Sequence, residues 1–300
     1  MPELPEVEYT ARQLRASVLG ATISNAQVFW ERVIGHPDVP DFLAEIADRH
    51  ILNVRRRAKY LVLDLSGELI LTIHRRMTGN LLLLPPGWQL DTSLQETDPA
   101  AWNLKGPAFN GMSLYCRACF NLADGRCLLF TDPRKFGRIE LWPAEREEDV
   151  FHSLGPEPLD TEFTVERLSK LLAGRRTGIK QALLMQEVVA GLGNIYADEA
   201  LYYASIHPLR RADSLTSSEI EQLHAGIIAV LTLGIEHGGT SFSGYRDLEG
   251  EAGNNYDHLR AYYKHGTVKI CERCGTPIER MVIAQRAAHF CPNCQQLTEE

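Results

Sequence analysis

The feature that most constrains this chain is a single change in the period of its apolar residues, near residue 143. Before that point apolar side chains come in strand-length runs. Tyr60-Leu-Val-Leu-Asp-Leu65 and Leu69-Ile-Leu-Thr-Ile-His74 flank Ser66-Gly67-Glu68, which is the pattern of a β-hairpin. Cys127 to Thr131 and Ile139 to Trp142 read as further strands. Residues 5–19 are the exception: Pro5 suits a first helical position, Val7, Ala11, Leu14 and Val18 mark one face, and Gly20 is a stop. Residues 85–107 carry Pro-Pro-Gly and Asp-Pro breakers and read as loop. Beyond an acidic stretch at 143–160 with three prolines, the pattern turns helical. Thr164 can cap a helix through Leu172 that Gly174 ends, residues 178–187 form a second, and Asn194 is the expected N-cap of a third. Thr216 and Glu219 make a capping box for a long helix with Ile220, Leu223, Ile227 and Leu231 on one face, stopped by Gly238-Gly239. Residues 240–258, rich in Gly, Ser and Asn, read as a loop. The sequence predicts an α+β chain of two domains joined through 143–160.

Length and composition agree with that reading. Three hundred residues suffice for two ordinary cores, and 44% hydrophobic with 23% charged residues is globular composition. No run of about 18 apolar residues suggests a membrane span. Glu3, Glu6 and Glu8 do not fit a signal peptide, so a cytoplasmic protein is expected. The net charge of −8 argues mildly against a nucleic-acid partner, but the charges are segregated. Arg49, Arg55, Arg56, Arg57 and Lys59 form one acid-free stretch, and Arg167, Lys170, Arg175, Arg176 and Lys180 another. Such segregation fits a basic groove on an acidic body, and equally fits solvated faces of both signs.

The strongest chemical signal is Cys271-x2-Cys274 followed, after sixteen residues, by Cys291-x2-Cys294. This is a four-thiolate zinc spacing, two tight turns with a hairpin between. Four thiolates leave no open position, so the site is structural and folds a segment too small for its own core. Arg286, near the hairpin tip, is a candidate phosphate contact. Cys116, Cys119 and Cys127 complete an odd count and are expected as free thiols; a second metal site there would need another ligand such as His152. At the other end, Met1-Pro2 permits removal of the initiator methionine, which would expose a secondary amine. With an α-amino pKa of roughly 8, an appreciable fraction is neutral and nucleophilic at pH 7. Glu3 and Glu6 lie close in sequence and could move protons, although acids near a helix start also simply complement its dipole.

Five short motifs, in order and spanning nearly the whole chain, give these residues a common meaning. Met1-Pro-Glu-Leu-Pro-Glu-Val-Glu8, Arg56-Arg-Ala-Lys-Tyr60, Asp132-Pro-Arg-Lys-Phe-Gly137, Gly191-Leu-Gly-Asn-Ile-Tyr-Ala-Asp-Glu199, and Ala284-Gln-Arg-Ala287 between the cysteine pairs resemble segments of bacterial formamidopyrimidine-DNA glycosylases. The resemblance implies an N-terminal β-sandwich catalytic domain with flanking helices at 1–142 and a hinge at 143–160. It further implies a helix-two-turn-helix domain with a lesion-capping loop at 161–260 and a zinc finger with one structural zinc ion at 261–300. It implies Pro2 as nucleophile, Glu3 as general acid and proton shuttle, and Glu6 and Glu199 as supports. Lys59, His74, Asn194 and Arg286 would grip phosphates, Lys59 as part of the catalytic set. Met77, Arg134 and Phe136 would fill the gap left by an extruded nucleotide, with Lys135 beside them on the DNA. The implied partner is double-stranded DNA with oxidised bases or abasic sites, bound by a monomer in the bacterial cytoplasm at the nucleoid.

This sequence also departs from the family. His74-Arg75-Arg76-Met77-Thr78-Gly79 stands where the family usually has His-Leu-Gly-Met-Ser-Gly, so two arginines flank the wedge and could add phosphate contacts or alter how Met77 inserts. Lys135 stands where arginine is common, and a lysine cannot grip a phosphate bidentately. Two other readings remain: an endonuclease VIII-like activity on oxidised pyrimidines, which Leu4, Arg134 and Phe136 disfavour, and a DNA-binding protein without catalysis.

Overall fold

The computed structural model describes residues 2–87, 101–103, 113–242 and 244–297. They form two compact bodies. The first contains Pro2, Glu6–His152 and Gly238–Gly253; the second contains Glu3–Pro5, Ser153–His237 and residues from Asn254 onward. The period change near residue 143 is therefore not the only boundary: residues 161–260, expected as one domain, are divided, because Gly238–Gly253 packs with the first body. The reason is local pairing. Leu83 N donates to Leu248 O (2.9 Å), Arg246 N to Asn80 Oδ1 (2.9 Å), and Gln13 Nε2 to Asp247 Oδ2 (2.9 Å).

In the first body, helix α1 (Leu4–Val18) lays Val7, Ala11, Leu14 and Val18 into the core. Complete burial of a side chain such as Leu14 contributes roughly 2 kcal/mol. The strands are β1 (Thr22–Val28), β2 (Ile34–His36), β3 (Arg49–Arg57), β4 (Tyr60–Leu65), β5 (Leu69–His74), β6 (Asn80–Leu84), β7 (Ala101–Asn103), β8 (Ser113–Leu122), β9 (Cys127–Thr131) and β10 (Arg138–Pro143). Their order is β2-β10-β5-β4-β3-β1-β8-β9-β6, with β7 on β8. The two halves join where β1 pairs β3, through Thr22↔His50 and Ile23↔Arg49. Buried residues of both halves, Leu63 and Ile73 from one and Phe120 and Phe130 from the other, share a single apolar cluster. The sheet is thus folded into two layers, as the sandwich expectation required. Helix α2 (Val39–Ile46) was not expected; Asp38 caps it by accepting from Asp41 N (3.1 Å), and it buries Phe42 and Ile46. Within the expected loop 85–107, residues 101–103 are strand, and 88–100 and 104–107 lie outside the described residues.

The mid-chain cysteines also differ from expectation. Cys119 and Cys127 are joined in a disulfide across β8 and β9, and Cys116 alone keeps a free, buried thiol. Cys119 pairs with Leu129 and Cys127 lies two residues earlier on β9, so both point to one face. His152 hydrogen-bonds Asp149 O instead (2.6 Å).

The acidic connection carries a short helix, α3 (Glu147–Phe151). In the second body α4 (Val165–Leu172) is capped by Thr164, and α5 (Ile179–Leu183) stops four residues early. There Gln186 holds a turn, accepting from Gly191 N (3.0 Å) and donating to Leu192 O (2.9 Å). Helices α6 (Asn194–Tyr203) and α7 (Ser217–Glu236) pack together, the latter behind the expected Thr216–Glu219 capping box. Strands β11 (Glu279–Ile283) and β12 (Arg286–Phe290) form the C-terminal hairpin. Among the described residues no helix is long and apolar enough to cross a membrane.

Candidate functional site

The first body carries Pro2, Glu6, Lys59, His74, Met77, Arg134, Lys135 and Phe136. Pro2 and Glu6 are buried, and Glu6 Oε1 accepts from Thr240 N (2.7 Å). Lys59, 7% exposed, follows Ala58 in the tight β3–β4 turn, where Ala58 takes a positive φ of 50°. His74 closes β5 opposite Tyr60, whose ring meets it edge-on at 4.5 Å. Its Nδ1 accepts from Arg76 N (3.0 Å), which leaves the proton on Nε2. Burial, then the charges of Arg76 and Lys59, push its pKa down to about 3. His74 is therefore a neutral ring with one N–H to donate.

Two exposed loops stand beside it. Met77 is 43% exposed and Phe136 51%. Arg134 Cζ lies 4.9 Å over the Phe136 ring, and Lys135 Nζ lies 4.3 Å over Trp30. Both loops are built on the fully buried carboxylate of Asp132. Its Oδ2 accepts from Phe136 N (2.7 Å) and Gly137 N (2.7 Å), and its Oδ1 from Arg134 N (3.1 Å) and from the Thr78 hydroxyl, next to Met77. Sequence reasoning missed Asp132. The available signal was an acid followed by proline at the end of a strand, β9, that is buried at all five positions.

The second body holds Glu3, Asn194, Glu199, Arg286 and the four cysteines. Asn194 is not the N-cap of α6; Gly193 is, and Asn194 is the first helical residue. The capping is done from far away in sequence: Glu3 accepts from Ile195 N (3.1 Å) and Tyr196 N (3.5 Å). The positive end of α6 thus faces the Glu3 carboxylate. The Asn194 side chain is free to turn toward the Tyr262 hydroxyl, with which it hydrogen-bonds. Glu199, buried, accepts from the backbone of Arg260 (2.7 Å), Ala261 (2.9 Å) and Tyr262 (2.7 Å), fixing the segment that carries Tyr262. Burial raises its pKa and those amides oppose the rise.

Arg286 is exposed just after a two-residue turn in which Ala284 and Gln285 both have positive φ, 46° and 63°. The hairpin is held to the helices by a buried network. Lys180 Nζ pairs with Asp198 Oδ1 (2.6 Å) and donates to Ala287 O (2.5 Å), while His289 engages Asp198 Oδ2 (3.1 Å). So α6, with Asn194 at its start, and β12, with Arg286 at its start, belong to one packed unit. The four cysteine Sγ atoms lie within 4.8 Å of one another, with Cys271–Cys294 at 3.8 Å and Cys274–Cys291 at 3.4 Å. Tetrahedral zinc with Zn–S bonds of about 2.3 Å needs sulfurs about 3.8 Å apart, so the set fits that ion.

The two basic stretches are only partly open: Arg167, Lys170 and Arg176 are exposed, but others are paired or buried. Arg55 is clamped between Asp64 (2.7 Å) and Glu147 (2.5 Å), Arg56 pairs with Glu8 (3.0 Å), and Lys180 is buried. Arg75 is 1% exposed and is no phosphate contact, whereas Arg76 is exposed.

Comparison with known proteins gives this arrangement a family. Residues 1–139 match the formamidopyrimidine-DNA glycosylase N-terminal domain, 154–245 the helix-two-turn-helix domain of the same enzymes, and 269–297 a zinc finger found in them and in isoleucyl-tRNA synthetases. The chain belongs to the formamidopyrimidine-DNA glycosylase family. Family members named formamidopyrimidine-DNA glycosylase include one from Roseiflexus, 40% identical over 99% of this chain and all of its own length. Another, from Symbiobacterium thermophilum, is 43% identical over the whole chain and 90% of its own length. The Lactococcus lactis family member, solved in complex with DNA containing a formamidopyrimidine lesion, is 33% identical and superimposes with a TM-score of 0.84 over 99% of this chain and all of its own. The family's zinc finger and the thiolate cluster together assign one structural zinc ion to Cys271, Cys274, Cys291 and Cys294.

Proposed function

We propose that this protein is a bifunctional DNA glycosylase and abasic-site lyase that removes oxidised purines, such as 8-oxoguanine and formamidopyrimidines, from double-stranded DNA. One observation carries the reading beyond family membership: a single buried carboxylate, Asp132, presents Met77 and the Arg134–Phe136 loop together as exposed apolar and cationic groups. Extruding a nucleotide costs a few kcal/mol of stacking and pairing, and an inserted methionine and aromatic ring recover part of it. Arg134 then donates to the orphaned partner base.

After Met1 is removed, the Pro2 nitrogen attacks the sugar C1′ as the glycosidic bond breaks, and the base leaves with a proton from Glu3. The nitrogen, having lost its proton, then uses its lone pair to expel O4′ from C1′, so that the sugar ring opens to an iminium ion while O4′ takes up a proton. The iminium acidifies C2′ and allows β- and then δ-elimination of the two phosphates. Lys59 and Arg286 bring charge to the DNA backbone, His74 and Asn194 bring neutral donors, and the zinc ion holds the hairpin that bears Arg286. The protein acts as a single copy, in the cytoplasm at the nucleoid.

Borohydride should trap a covalent protein–DNA adduct on lesion-containing duplex, and processed Pro2→Gly should lose it together with most cleavage. Full activity of that variant would dismiss Pro2 as the nucleophile. The same panel should include thymine-glycol duplex, since the Lactococcus lactis relative has also been solved with oxidised-pyrimidine DNA. Faster excision from thymine glycol than from 8-oxoguanine paired with cytosine would favour the pyrimidine reading.

A further inference from the structure

Arg75 sits at the root of the Met77 turn. The turn is closed by Gly79 N donating to Arg75 O (2.9 Å), and a Cβ at Gly79 would lie 2.5 Å from that oxygen. Arg76 takes a positive φ of 53°, which throws Arg76 and Met77 outward while the Arg75 side chain runs inward. There it meets the first turn of α1. Arg75 Nη2 donates to Glu6 O (2.7 Å) and Nη1 to Thr10 Oγ1 (3.1 Å). The Glu6 carbonyl also accepts from Thr10 Oγ1 (2.8 Å) and Tyr245 Oη (3.4 Å). The guanidinium carbon lies 5.2 Å over the Tyr245 ring. Tyr245 belongs to Gly238–Gly253, where Gly239, at a φ of +84°, packs so closely that a Cβ would meet Glu6 Cγ at 2.7 Å.

One buried cation therefore ties three pieces together: the turn that presents Met77, the Glu6 turn of α1, and the Tyr245 segment. A guanidinium this deep loses its hydration; Nη1 and Nη2 recover hydrogen bonds, while Nε has no partner among the described residues. An apolar residue could pack in the same space, but it could not hold the Glu6 carbonyl. Planar donors in a fixed fork also transmit position better than a flexible ammonium.

We propose that Arg75 is a positioning residue which sets the depth and direction of the Met77 wedge against α1, so that extrusion of a damaged nucleotide depends on it while chemistry at an existing abasic site does not. The inference rests on the glycosylase–lyase reading. Its test compares two substrates on the same proteins: single-turnover release of 8-oxoguanine opposite cytosine, and cleavage of duplex with a preformed abasic site. The fluorescence of 2-aminopurine beside the lesion follows insertion directly.

With Arg75→Leu, base release should slow about 30-fold and the 2-aminopurine phase should slow with it, while abasic-site cleavage stays within about threefold, since geometric misplacement of roughly an ångström commonly costs such factors. Arg75→Lys should recover part of the loss, and Tyr245→Phe should show the same asymmetry more weakly. If Arg75→Leu does not fold, the lysine and phenylalanine variants must carry the asymmetry. Equal losses on both substrates, or no loss on either, overturn the proposal. Failure of the wild-type protein to form a borohydride-trapped adduct would instead remove the underlying function, so the two failures are distinguishable.

Discussion

Replacing Gly193 with alanine should separate the proton-transfer role of Glu3 from its presence. A Cβ at residue 193 would lie 2.2 Å from Glu3 Cδ and 2.5 Å from both carboxylate oxygens. Ordinary contact requires about 3.5 Å, so the carboxylate must retreat by roughly an ångström. The backbone gives no competing reason for damage, since Gly193 has φ −132° and ψ −163°, an extended conformation open to alanine. The retreat breaks the bonds from Ile195 N and Tyr196 N, at 3.1 and 3.5 Å. Losing one good charge-assisted hydrogen bond costs about 2 kcal/mol, and a reacting group misplaced by about 1 Å commonly costs up to about a hundredfold in rate. Single-turnover release of 8-oxoguanine by Gly193→Ala should therefore slow by about 30- to 100-fold. The melting temperature should fall by only a few degrees, as for loss of one helix cap. The decisive control is the Glu3→Gln background, where the alanine should add little because the group it displaces no longer shuttles protons. Gly193→Ala releasing base within about twofold of wild type would refute the argument that α6 positions Glu3 for chemistry.

Two further outcomes follow from the geometry. His74 has a folded-state pKa of about 3 against roughly 6.5 unfolded, so the unfolded chain binds the extra proton between those values. Stability is full above pH 6.5 and falls as pH drops toward 3; His74→Gln should flatten that part of a denaturation-midpoint profile, and an unchanged slope would contradict the buried neutral ring. Metal analysis should find one zinc ion per chain, and stripping it with a chelator should weaken binding of abasic-site duplex while exposing four additional reactive thiols, because the hairpin bearing Arg286 loses its fold; unchanged affinity after full removal would detach the finger from DNA binding.

Much of the architecture was legible because it is locally encoded. The Thr216–Glu219 capping box, the apolar face of α1 and the β4–β5 hairpin each depend on residues a few positions apart, and the cysteine spacing is itself the zinc geometry. What the sequence concealed was set by distant partners. Asn194 reads as a cap by residue type, but Glu3 occupies those amides from 192 residues away. Arg75 and Arg76 look alike in sequence, and one positive φ sends them in opposite directions. The residue type of His74 was legible, but its neutral state follows only from its burial beside Arg76 and Lys59. Helix α2 is shorter than the periodicity that would reveal it, although Asp38 with Pro40 was a readable start. Of the candidate site, residue types were legible and their charge states and anchors were not.

The shared use of Asp132 has a consequence for how this surface can change. The Met77 turn and the Arg134–Phe136 loop are some 55 positions apart in sequence, yet Thr78 and three backbone amides converge on one side chain. Neither loop can be transplanted alone. A graft of 75–79 that lacks a hydroxyl at 78 leaves Asp132 Oδ1 with Arg134 N as its remaining donor, and a graft of 132–137 that lacks the acid strands the hydroxyl. Natural drift and directed evolution should therefore treat the two loops as one inherited module, with residues 78 and 132 exchanging in concert.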